Sequence, residues 1–260
     1  MTAQATVESL RRRVYIIVIY KTDRSSGFML YSVGMQGVVK LRREWRSVDV
    51  AVDAPRKNDP KGVRARILDA AADLFQAHGY YASSIHDVMQ ASQVSGGALH
   101  HHFPSKKALG LAVILERVAP IVRETWIDPL RTTASLPRVI AGVFAGIVAG
   151  IEGRGRAAGC PLNNLALEMA LKDPEFRDAV EAVFAEWRAV LAERIATSEG
   201  GAALDGPRRA AAALFIISAY SGAMAQAKSS QSAMPLRSAA EELLFWIREH
   251  RFGPAAQEAD

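Results

Sequence analysis

Residues 93–107 constrain the fold of this chain more than any other stretch, because they define where one short helix begins and ends. Ser95 is a favourable helix N-cap and Pro104 cannot continue a helix, so the stretch predicts a helix that ends near Phe103. Glycines and histidines make up most of this helix, whereas Leu99 and Phe103 lie four positions apart on one apolar face. We therefore expect a helix that is anchored by a few apolar side chains and presents its other face to a partner.

Two further helices are predicted immediately before this one. The first runs from Lys61 to His78, where a glycine follows as a stop signal, and its apolar residues recur with helical spacing. The second begins after Ser84, a ready N-cap, and Asp87 three positions later can complete a capping box. A turn of about three or four residues separates the second and third helices, and three helices so arranged make a helix-turn-helix unit.

The pattern across residues 62–110 resembles the TetR/AcrR family of bacterial transcriptional regulators. The segments that carry the resemblance are residues 66–75, 79–80, 83–88 and 94–109. Each segment alone is a weak signal, whereas their gapless combination is specific. The resemblance implies an all-α homodimer in which an N-terminal three-helix helix-turn-helix domain binds DNA and a C-terminal helical bundle binds a small molecule and dimerises. Most members of the family are repressors that an effector releases from the operator.

The chain departs from the family pattern at three positions. Gln93 stands where the turn usually has glycine, Gly96 where a polar residue is common, and His100 where a tyrosine usually meets a DNA phosphate. A left-handed turn would cost Gln93 about 1 kcal/mol relative to glycine, which a folded domain tolerates. The departures leave the expected fold unchanged and bear on the operator sequence that the unit reads.

Small and hydroxylated residues dominate the expected DNA-contacting surface. Without bulky side chains, the N-terminus of the third helix can approach the duplex closely, so that its free N–H groups meet a phosphate; packing alone is the other explanation for the paired glycines. Lys106 matches the family's phosphate-contacting lysine. The candidate DNA-binding residues are Ser83, Ser84, Ser95, Gly96, Gly97, Ala98, His100, His101 and Lys106.

A metal site at the three consecutive histidines is a hypothesis that helix geometry opposes. Neighbouring helical residues point about 100° apart, so His100, His101 and His102 cannot converge on one ion. We predict no metal site and no cofactor.

The chain divides into three parts by composition. Residues 61–107 form the expected helix-turn-helix domain, and residues 108–260 form the effector-binding and dimerisation domain. We expect residues 1–60 to be a disordered or non-essential extension, with a functional arm as the alternative. The β-branched run 14–20 could be a strand with a partner at 27–39, and it is too short to span a bilayer.

The charge of the chain does not by itself indicate nucleic-acid binding. The net charge of +5 arises within residues 1–60, which hold 11 Lys or Arg against 6 Asp or Glu, whereas residues 61–260 hold 21 of each sign. Residues 61–110 are modestly basic and hold five of the six histidines, so any electropositive surface of the main body lies there.

The cysteine content limits the function classes further. The single cysteine, Cys160, excludes an intrachain disulfide and suits a reducing cytoplasm. An enzyme that uses Cys160 as a nucleophile is a rival hypothesis, but His250 is the only histidine in the C-terminal body and nothing marks it as a paired base. We therefore predict that the chain is not an enzyme.

The segment that begins at Cys160-Pro161 resembles the start of a pocket helix in the TetR branch of lincomycin-resistance repressors. Asn163, Asn164 and Glu168 are polar residues on this largely apolar helix, and they either orient a ligand or satisfy buried backbone or arginine partners. The candidate effector-pocket residues are Trp126, Phe144, Cys160, Asn163, Asn164, Glu168, Trp187 and Tyr220.

Two C-terminal helices are candidates for a dimer interface. Residues 208–228 are rich in small residues that allow close packing, and the helix that opens at Pro235 has an apolar side. Two such helices from each subunit would make a four-helix interface, unless both only close the chain's own core. The candidate interface residues are Leu214, Ser218, Gly222, Leu243, Leu244 and Ile247.

These observations predict a ligand-responsive transcriptional regulator, most consistent with a repressor that a small molecule releases from a palindromic double-stranded operator. The dimer would hold two recognition helices about 34–36 Å apart, in successive major grooves. A non-sensing DNA-binding protein or an activator of the same fold is the alternative. We expect a cytoplasmic homodimer that does not associate with a membrane.

Overall fold

The computed structural model divides the chain into two units, Met1–Lys57 and Asn58–Asp260. The residues that the structure describes are 14–22, 25–34, 37–39, 60–132 and 135–252. Each unit is described by itself below.

The smaller unit contains a three-stranded antiparallel sheet. Its strands are β1 (Val14–Thr22), β2 (Ser25–Gly34) and β3 (Gly37–Val39), in the order β1-β2-β3. The β-branched run therefore forms a strand, with its partner in the region that the sequence allowed. This sheet differs from the disorder expected for residues 1–60, and it lies outside the all-α description, which applies to the larger unit. That the extension is non-essential stays a prediction.

The described residues of the larger unit are helical apart from turns and loops. One helix, α4, is a continuous run of five segments: Lys106–Val113, Ile114–Val118, Ala119–Val122, Arg123–Ile127 and Asp128–Leu130. The other helices are α1 (Pro60–His78), α2 (Ile85–Ser92), α3 (Gly96–His102), α5 (Leu136–Arg154), α6 (Pro161–Met169), α7 (Pro174–Ala196), α8 (Glu199–Ala202), α9 (Gly206–Ser230) and α10 (Met234–Glu249).

Prolines explain two π-helical turns in α4. The first π turn ends at Ala119, whose N–H donates to the carbonyl five residues back, just before Pro120, which has no N–H. In a regular α-helix, the carbonyl of Glu116 would accept a hydrogen bond from the N–H of residue 120. Because Pro120 has no N–H, this carbonyl accepts instead from the guanidinium of Arg117 at 2.9 Å. The second π turn ends in the same way just before Pro129. The helix thus continues through both prolines.

One continuous set of buried apolar side chains fills the larger unit, from the helix-turn-helix region into the C-terminal helices. Its largest fully buried members are aromatic: Trp126, Trp187, Phe144, Phe176 and Phe252. The two regions therefore share a core, and a displacement in one can reach the other through direct contacts.

Two helices, α5 and α9, are long and apolar enough to cross a membrane by length and composition. The core helices of soluble proteins pass the same test, so two such helices are weak evidence for a membrane.

Candidate nucleic-acid interface and effector core

The start of α2 is a complete capping box. The N–H of Ser84 donates to Asp87 Oδ2 at 2.7 Å, and the N–H of Asp87 donates to Ser84 Oγ at 3.1 Å. The Asp87 carboxyl accepts hydrogen bonds from both the backbone N–H and the hydroxyl of Ser84. These bonds stabilise its charged form and hold its pKa below the usual value. The shorter Asp side chain thus replaces the usual Glu of the box, as the sequence suggested.

The turn between α2 and α3 is left-handed at Gln93, with φ 56° and ψ 42°. The N–H of Gln93 donates to the carbonyls of Met89 and Gln90, which ends α2. The left-handed conformation expected at this position is confirmed, and this chain adopts it without the family's glycine.

Helix α3 is anchored on one face and open on the other. Leu99 and Phe103 are buried, whereas His100 and His101 are exposed. A Cβ atom added at Gly97 would meet nothing within 4 Å, so the N-terminal surface of α3 is open as well. This arrangement leaves the backbone and the histidines of α3 free to meet the edge of a duplex.

Two predicted DNA contacts have partners within the protein. Ser83 is buried, and its hydroxyl donates to the carbonyl of Gly79 at 2.7 Å, so it shapes the α1–α2 turn instead of facing solvent. The ammonium of Lys106 lies 4.4 Å from the centroid of the Tyr80 ring and donates to the carbonyl of Tyr81 at 3.4 Å. Partial burial lowers the pKa of Lys106. The turn thus sets where this ammonium lies, and a phosphate contact would replace its hydrogen bond to the carbonyl of Tyr81.

A stripe of three polar residues on α6 and just beyond it, Asn164, Glu168 and Lys172, faces the helix-turn-helix region. The carboxylate of Glu168 accepts the backbone N–H groups of Tyr80 and Tyr81 at 2.9 and 2.7 Å. The ammonium of Lys172 lies 4.1 Å from the centroid of the Tyr81 ring. We call these residues the junction stripe.

Asn164 attaches the same stripe to the end of α1. Its side-chain amide donates to Gln76 Oε1 at 3.3 Å, and the amide of Gln76 donates to the carbonyl of Gly159 at 2.8 Å. Lys228 on α9 donates to Asn164 Oδ1 at 3.3 Å. Asn164 and Glu168 therefore connect two domains, and their backbone partners match the second explanation that the sequence left open.

Two ion pairs hold α1 against the first π turn of α4. Arg64 makes a bidentate pair with Glu116, and Arg117 pairs with Asp69 at 2.6 Å. The guanidinium of Arg64 also lies 5.0 Å from the centroid of Phe103, the last anchor of α3. These contacts make α4 a direct neighbour of the DNA-facing unit.

Four aromatic side chains gather in the centre of the C-terminal helices. The rings of Trp126 and Tyr220 are 4.8 Å apart, as are those of Trp126 and Trp187, and Phe144 packs edge-on against both Trp126 and Tyr220. Both indole N–H groups, of Trp126 and of Trp187, are buried, and neither makes a hydrogen bond of normal geometry with any residue that the structure describes. We call these four residues the aromatic core.

The thiol of Cys160 adjoins the aromatic core through the hydroxyl of Tyr220. Burial raises the pKa of Cys160, and burial together with that thiol raises the pKa of Tyr220 well above its usual value. Both groups are therefore neutral near pH 7. A thiol with a raised pKa is the opposite of an activated nucleophile, which weakens the enzyme hypothesis.

Comparison with known proteins assigns both halves of the larger unit. Residues 67–113 match the family described as bacterial regulatory proteins, tetR family. Residues 138–242 match the C-terminal domain described as transcriptional regulator LmrA/YxaF-like. A crystal structure of a TetR transcriptional regulator from Chloroflexus aurantiacus is 30% identical, covers 73% of this chain and 96% of its own, and superposes with a TM-score of 0.62.

The chain belongs to the TetR family of bacterial transcriptional regulators. Two curated relatives agree with this assignment. The HTH-type transcriptional regulator LmrA of Bacillus subtilis is 26% identical over 132 residues, which are 51% of this chain and 70% of LmrA. The HTH-type transcriptional repressor DhaR of a Mycobacterium species is 26% identical over 180 residues, which are 67% of this chain and 86% of DhaR.

Membership of the TetR family makes the chain a DNA-binding transcriptional regulator with a helix-turn-helix, and not an enzyme. The family resemblance inferred from residues 62–110, and the resemblance of the C-terminal region to the lincomycin-resistance branch, are both confirmed.

The structure brings together five of the eight residues predicted for the effector pocket of this TetR-family protein: Trp126, Phe144, Cys160, Trp187 and Tyr220. Asn163 is half-buried, and its backbone N–H hydrogen-bonds the sulfur of Cys160. Asn164 and Glu168 lie in the junction stripe instead. Their spacing with Lys172, at every fourth position, was the sequence signal for a second surface on this helix.

The six predicted dimer-interface residues separate into two groups. Leu214, Ser218 and Gly222 are exposed along one face of α9. Leu243 and Ile247 are buried inside the chain's own core, so they cannot meet a partner, and Leu244 is half-buried. The burial of Leu243 and Ile247 fits the alternative explanation for α10, that its apolar side closes the chain's own core.

Proposed function

We propose that the chain is a homodimeric repressor that leaves its operator when a small molecule binds in the aromatic core. The observation that carries this proposal is the buried indole N–H of Trp187, which has no acceptor among the described residues, beside the indole N–H of Trp126, which meets only the hydroxyl of Tyr220. An unpaired buried donor costs free energy, and a bound acceptor would remove that cost. The similarity to the repressor DhaR supports the direction of the regulation.

The chemistry of the aromatic core favours an uncharged, flat effector that carries hydrogen-bond acceptors. Trp126, Phe144, Trp187 and Tyr220 offer ring faces and edges, and the indole N–H groups offer donors. Tyr220 and Cys160 are neutral. In the described structure the rings contact each other, so an effector must separate them to enter.

An exposed apolar face supports homodimer formation. Leu214 and Phe215 on α9 are 51% and 48% exposed, and Phe245 on α10 is 56% exposed. The small residues Ser218 and Gly222 continue this face along α9 and allow close approach of a second copy. Such a dimer would present two α3 helices to one face of a duplex, in the cytoplasm where the operator is.

Release follows if the effector favours a dimer in which the two α3 helices no longer match successive major grooves. The ligand can shift operator binding only by its differential affinity for the two states, typically about 1–3 kcal/mol. Helices α6 and α4 connect the aromatic core, where the effector would bind, to the helix-turn-helix unit, so such a difference can be expressed there.

Operator binding is tested by electrophoretic mobility shift with the promoter of the chain's own gene. We expect a specific shift that competitor DNA of unrelated sequence does not remove at moderate salt. Absence of any shift at low salt would contradict the proposal.

Effector binding is tested by tryptophan fluorescence with coumarin, a flat uncharged probe with two oxygen acceptors. We expect quenching of Trp126 and Trp187 and a rise in melting temperature. A protein that responds to none of a panel of flat aromatic acceptors, yet binds its operator, would be the non-sensing regulator instead.

A further inference from the structure

The α1–α2 turn obtains its hydrogen-bond acceptor from the other domain. The N–H groups of Tyr80 and Tyr81 directly follow the end of α1, and each donates to one oxygen of Glu168, at 2.9 and 2.7 Å. Glu168 lies 88 and 87 positions away in the chain. A carboxylate that accepts two backbone N–H groups makes stronger hydrogen bonds than a neutral acceptor would.

The backbone at Gly79 is shaped for this contact. Gly79 has φ +90°, which side-chain-bearing residues rarely adopt, and a Cβ atom there would lie 2.9 Å from Glu168 Oε2. The close approach of the carboxylate therefore requires glycine for two reasons, conformation and space.

The same turn sets the start of α2 and the position of Lys106. The hydroxyl of Ser83 donates to the carbonyl of Gly79, and its N–H donates to the carbonyl of Tyr80 at 3.3 Å, directly before the Ser84 cap. Lys106 rests on the ring of Tyr80. A shift of the turn would thus move both the N-terminus of α2 and the lysine, the two parts of the unit suited to phosphate contact.

The opposite face of α6 belongs to the effector domain. Leu162, Leu165 and Met169 are buried in its core, and the helix begins at Cys160, which adjoins Tyr220 of the aromatic core. Because α6 is a short rigid element with both faces engaged, a change on its buried face moves Glu168 relative to the turn.

We propose that Glu168 is a positioning residue for operator binding: it holds the α1–α2 turn from the effector domain, so that the start of α2 and Lys106 are in place before DNA arrives. The proposal rests on the proposed function only for its regulatory consequence, that an effector which displaces α6 withdraws this carboxylate. Through Glu168, the effector domain would act on the DNA-facing surface without itself touching DNA.

The variants Glu168→Gln and Glu168→Ala test this role. The amide of Gln keeps the shape but turns an NH₂ group toward one of the two N–H donors, and Ala removes both acceptors. We expect affinity for the promoter duplex, measured by fluorescence anisotropy, to fall about tenfold with Gln, which is 1.4 kcal/mol, and further with Ala. Glu152→Gln, which removes the same charge from an exposed pair with Arg237, should stay within about twofold of wild type.

Hydrogen exchange of the DNA-free protein separates positioning from a general loss of stability. We expect faster exchange confined to residues 79–84 in both variants, while the exchange of α5 and α9 and the melting temperature stay at wild-type values. Unchanged exchange at 79–84 would overturn the proposal whatever the DNA result. Unchanged or tighter operator binding by Glu168→Ala would also overturn it.

The two proposals fail in different ways. If wild type does not bind the promoter, the proposed function fails, and the exchange experiment still decides whether Glu168 holds the turn. If wild type binds and Glu168→Ala binds equally well, operator binding is intact and only the positioning role of Glu168 is refuted.

Discussion

Single residues in this protein act through left-handed backbone conformations that most residues avoid. Gln93 adopts a left-handed conformation at the α2–α3 turn, and Gly79 has φ +90° where the carboxylate of Glu168 approaches. Gly97, in contrast, has ordinary helical geometry and open space around it. Two glycines of the same domain therefore serve different purposes, one internal and one at the surface.

The substitutions Gly79→Ala and Gly97→Ala should have opposite effects on stability. A Cβ at Gly79 meets Glu168 and forces a strained φ, so we expect a loss of about 1–3 kcal/mol in unfolding free energy. A Cβ at Gly97 meets nothing within 4 Å, and alanine suits a helix better than glycine by about 0.5–1 kcal/mol. Urea denaturation of the two variants measures both.

Operator binding should then separate from stability. We expect Gly97→Ala to bind the promoter duplex more weakly although it is the more stable variant, because the added methyl group lies where α3 approaches DNA. A Gly97→Ala protein that binds as tightly as wild type would show that α3 does not approach the duplex through this surface.

The substitution Trp187→Phe should separate the indole donor from the ring that carries it. Removal of the buried indole N–H should raise the free energy of unfolding, whereas the smaller ring should lower it. We therefore expect a net change of less than about 2 kcal/mol. Affinity for coumarin should fall about fivefold to tenfold, because a hydrogen bond of about 1 kcal/mol is lost. Isothermal titration calorimetry measures the affinity, and equal affinity of both proteins would remove Trp187 as an effector donor.

At the scale of elements, α4 and α6 both hold the helix-turn-helix region against the C-terminal helices. Helix α4 holds α1 through ion pairs at its first π turn, and α6 holds the α1–α2 turn through the junction stripe. These polar contacts lie beside the apolar core that the two regions share. Polar contacts can exchange with water during a displacement, so they can change while the shared core stays packed.

The attachment of α4 to α1 should weaken in acid. The guanidinium of Arg64 holds the pKa of Glu116 below its usual value, so this pair stabilises the fold fully above the unfolded pKa, near 4.3, and loses that effect as pH falls through the lower folded pKa. Both side chains are about a third or more exposed, so solvent screening limits the contribution to about 0–1 kcal/mol.

Melting temperatures of wild type and Glu116→Gln between about pH 7 and pH 3 test this dependence. We expect the variant to be slightly less stable at pH 7 and the two curves to converge toward pH 3. A difference that stays constant across the range would mean that the charge of Glu116 is not the source of its effect.

At the scale of the whole molecule, the exposed face of α9 is where the proposed homodimer would seat its second copy. Leu214, Phe215 and Phe245 leave an apolar surface uncovered in the single chain. A TetR-family regulator with a two-fold operator needs such a surface to fix the spacing of its two α3 helices.

The substitution Leu214→Glu should produce a folded monomer. Leu214 is 51% exposed, so a charge there is tolerated by the single chain but not by an apolar interface. We expect sedimentation to give a monomer and promoter affinity to fall at least about a hundredfold. The matched control is Leu171→Glu, at a fully exposed leucine beyond the end of α6, which should remain dimeric. Dimeric Leu214→Glu protein would move the interface elsewhere.

The sequence by itself determined the local features of the helix-turn-helix. Ser84 and Ser95 cap the helices that follow them, Gln93 makes the turn, and Pro104 follows the end of α3. Each of these depends on residues within about four positions, so the pattern of neighbours suffices. Apolar spacing likewise identified Leu99 and Phe103 as the anchors of α3.

Only the tertiary structure decided the partners of the polar residues and the outer faces of the C-terminal helices. Glu168 was visible as a polar residue on an apolar helix. The two N–H groups that donate to its carboxylate, however, lie 87 and 88 positions away in the chain. Ile247 and Leu214 are both apolar residues on helices, yet one is fully buried and the other half exposed. Helical periodicity defines a face without saying what covers it, because packing between distant elements, and not local propensity, assigns each face to the core or to solvent.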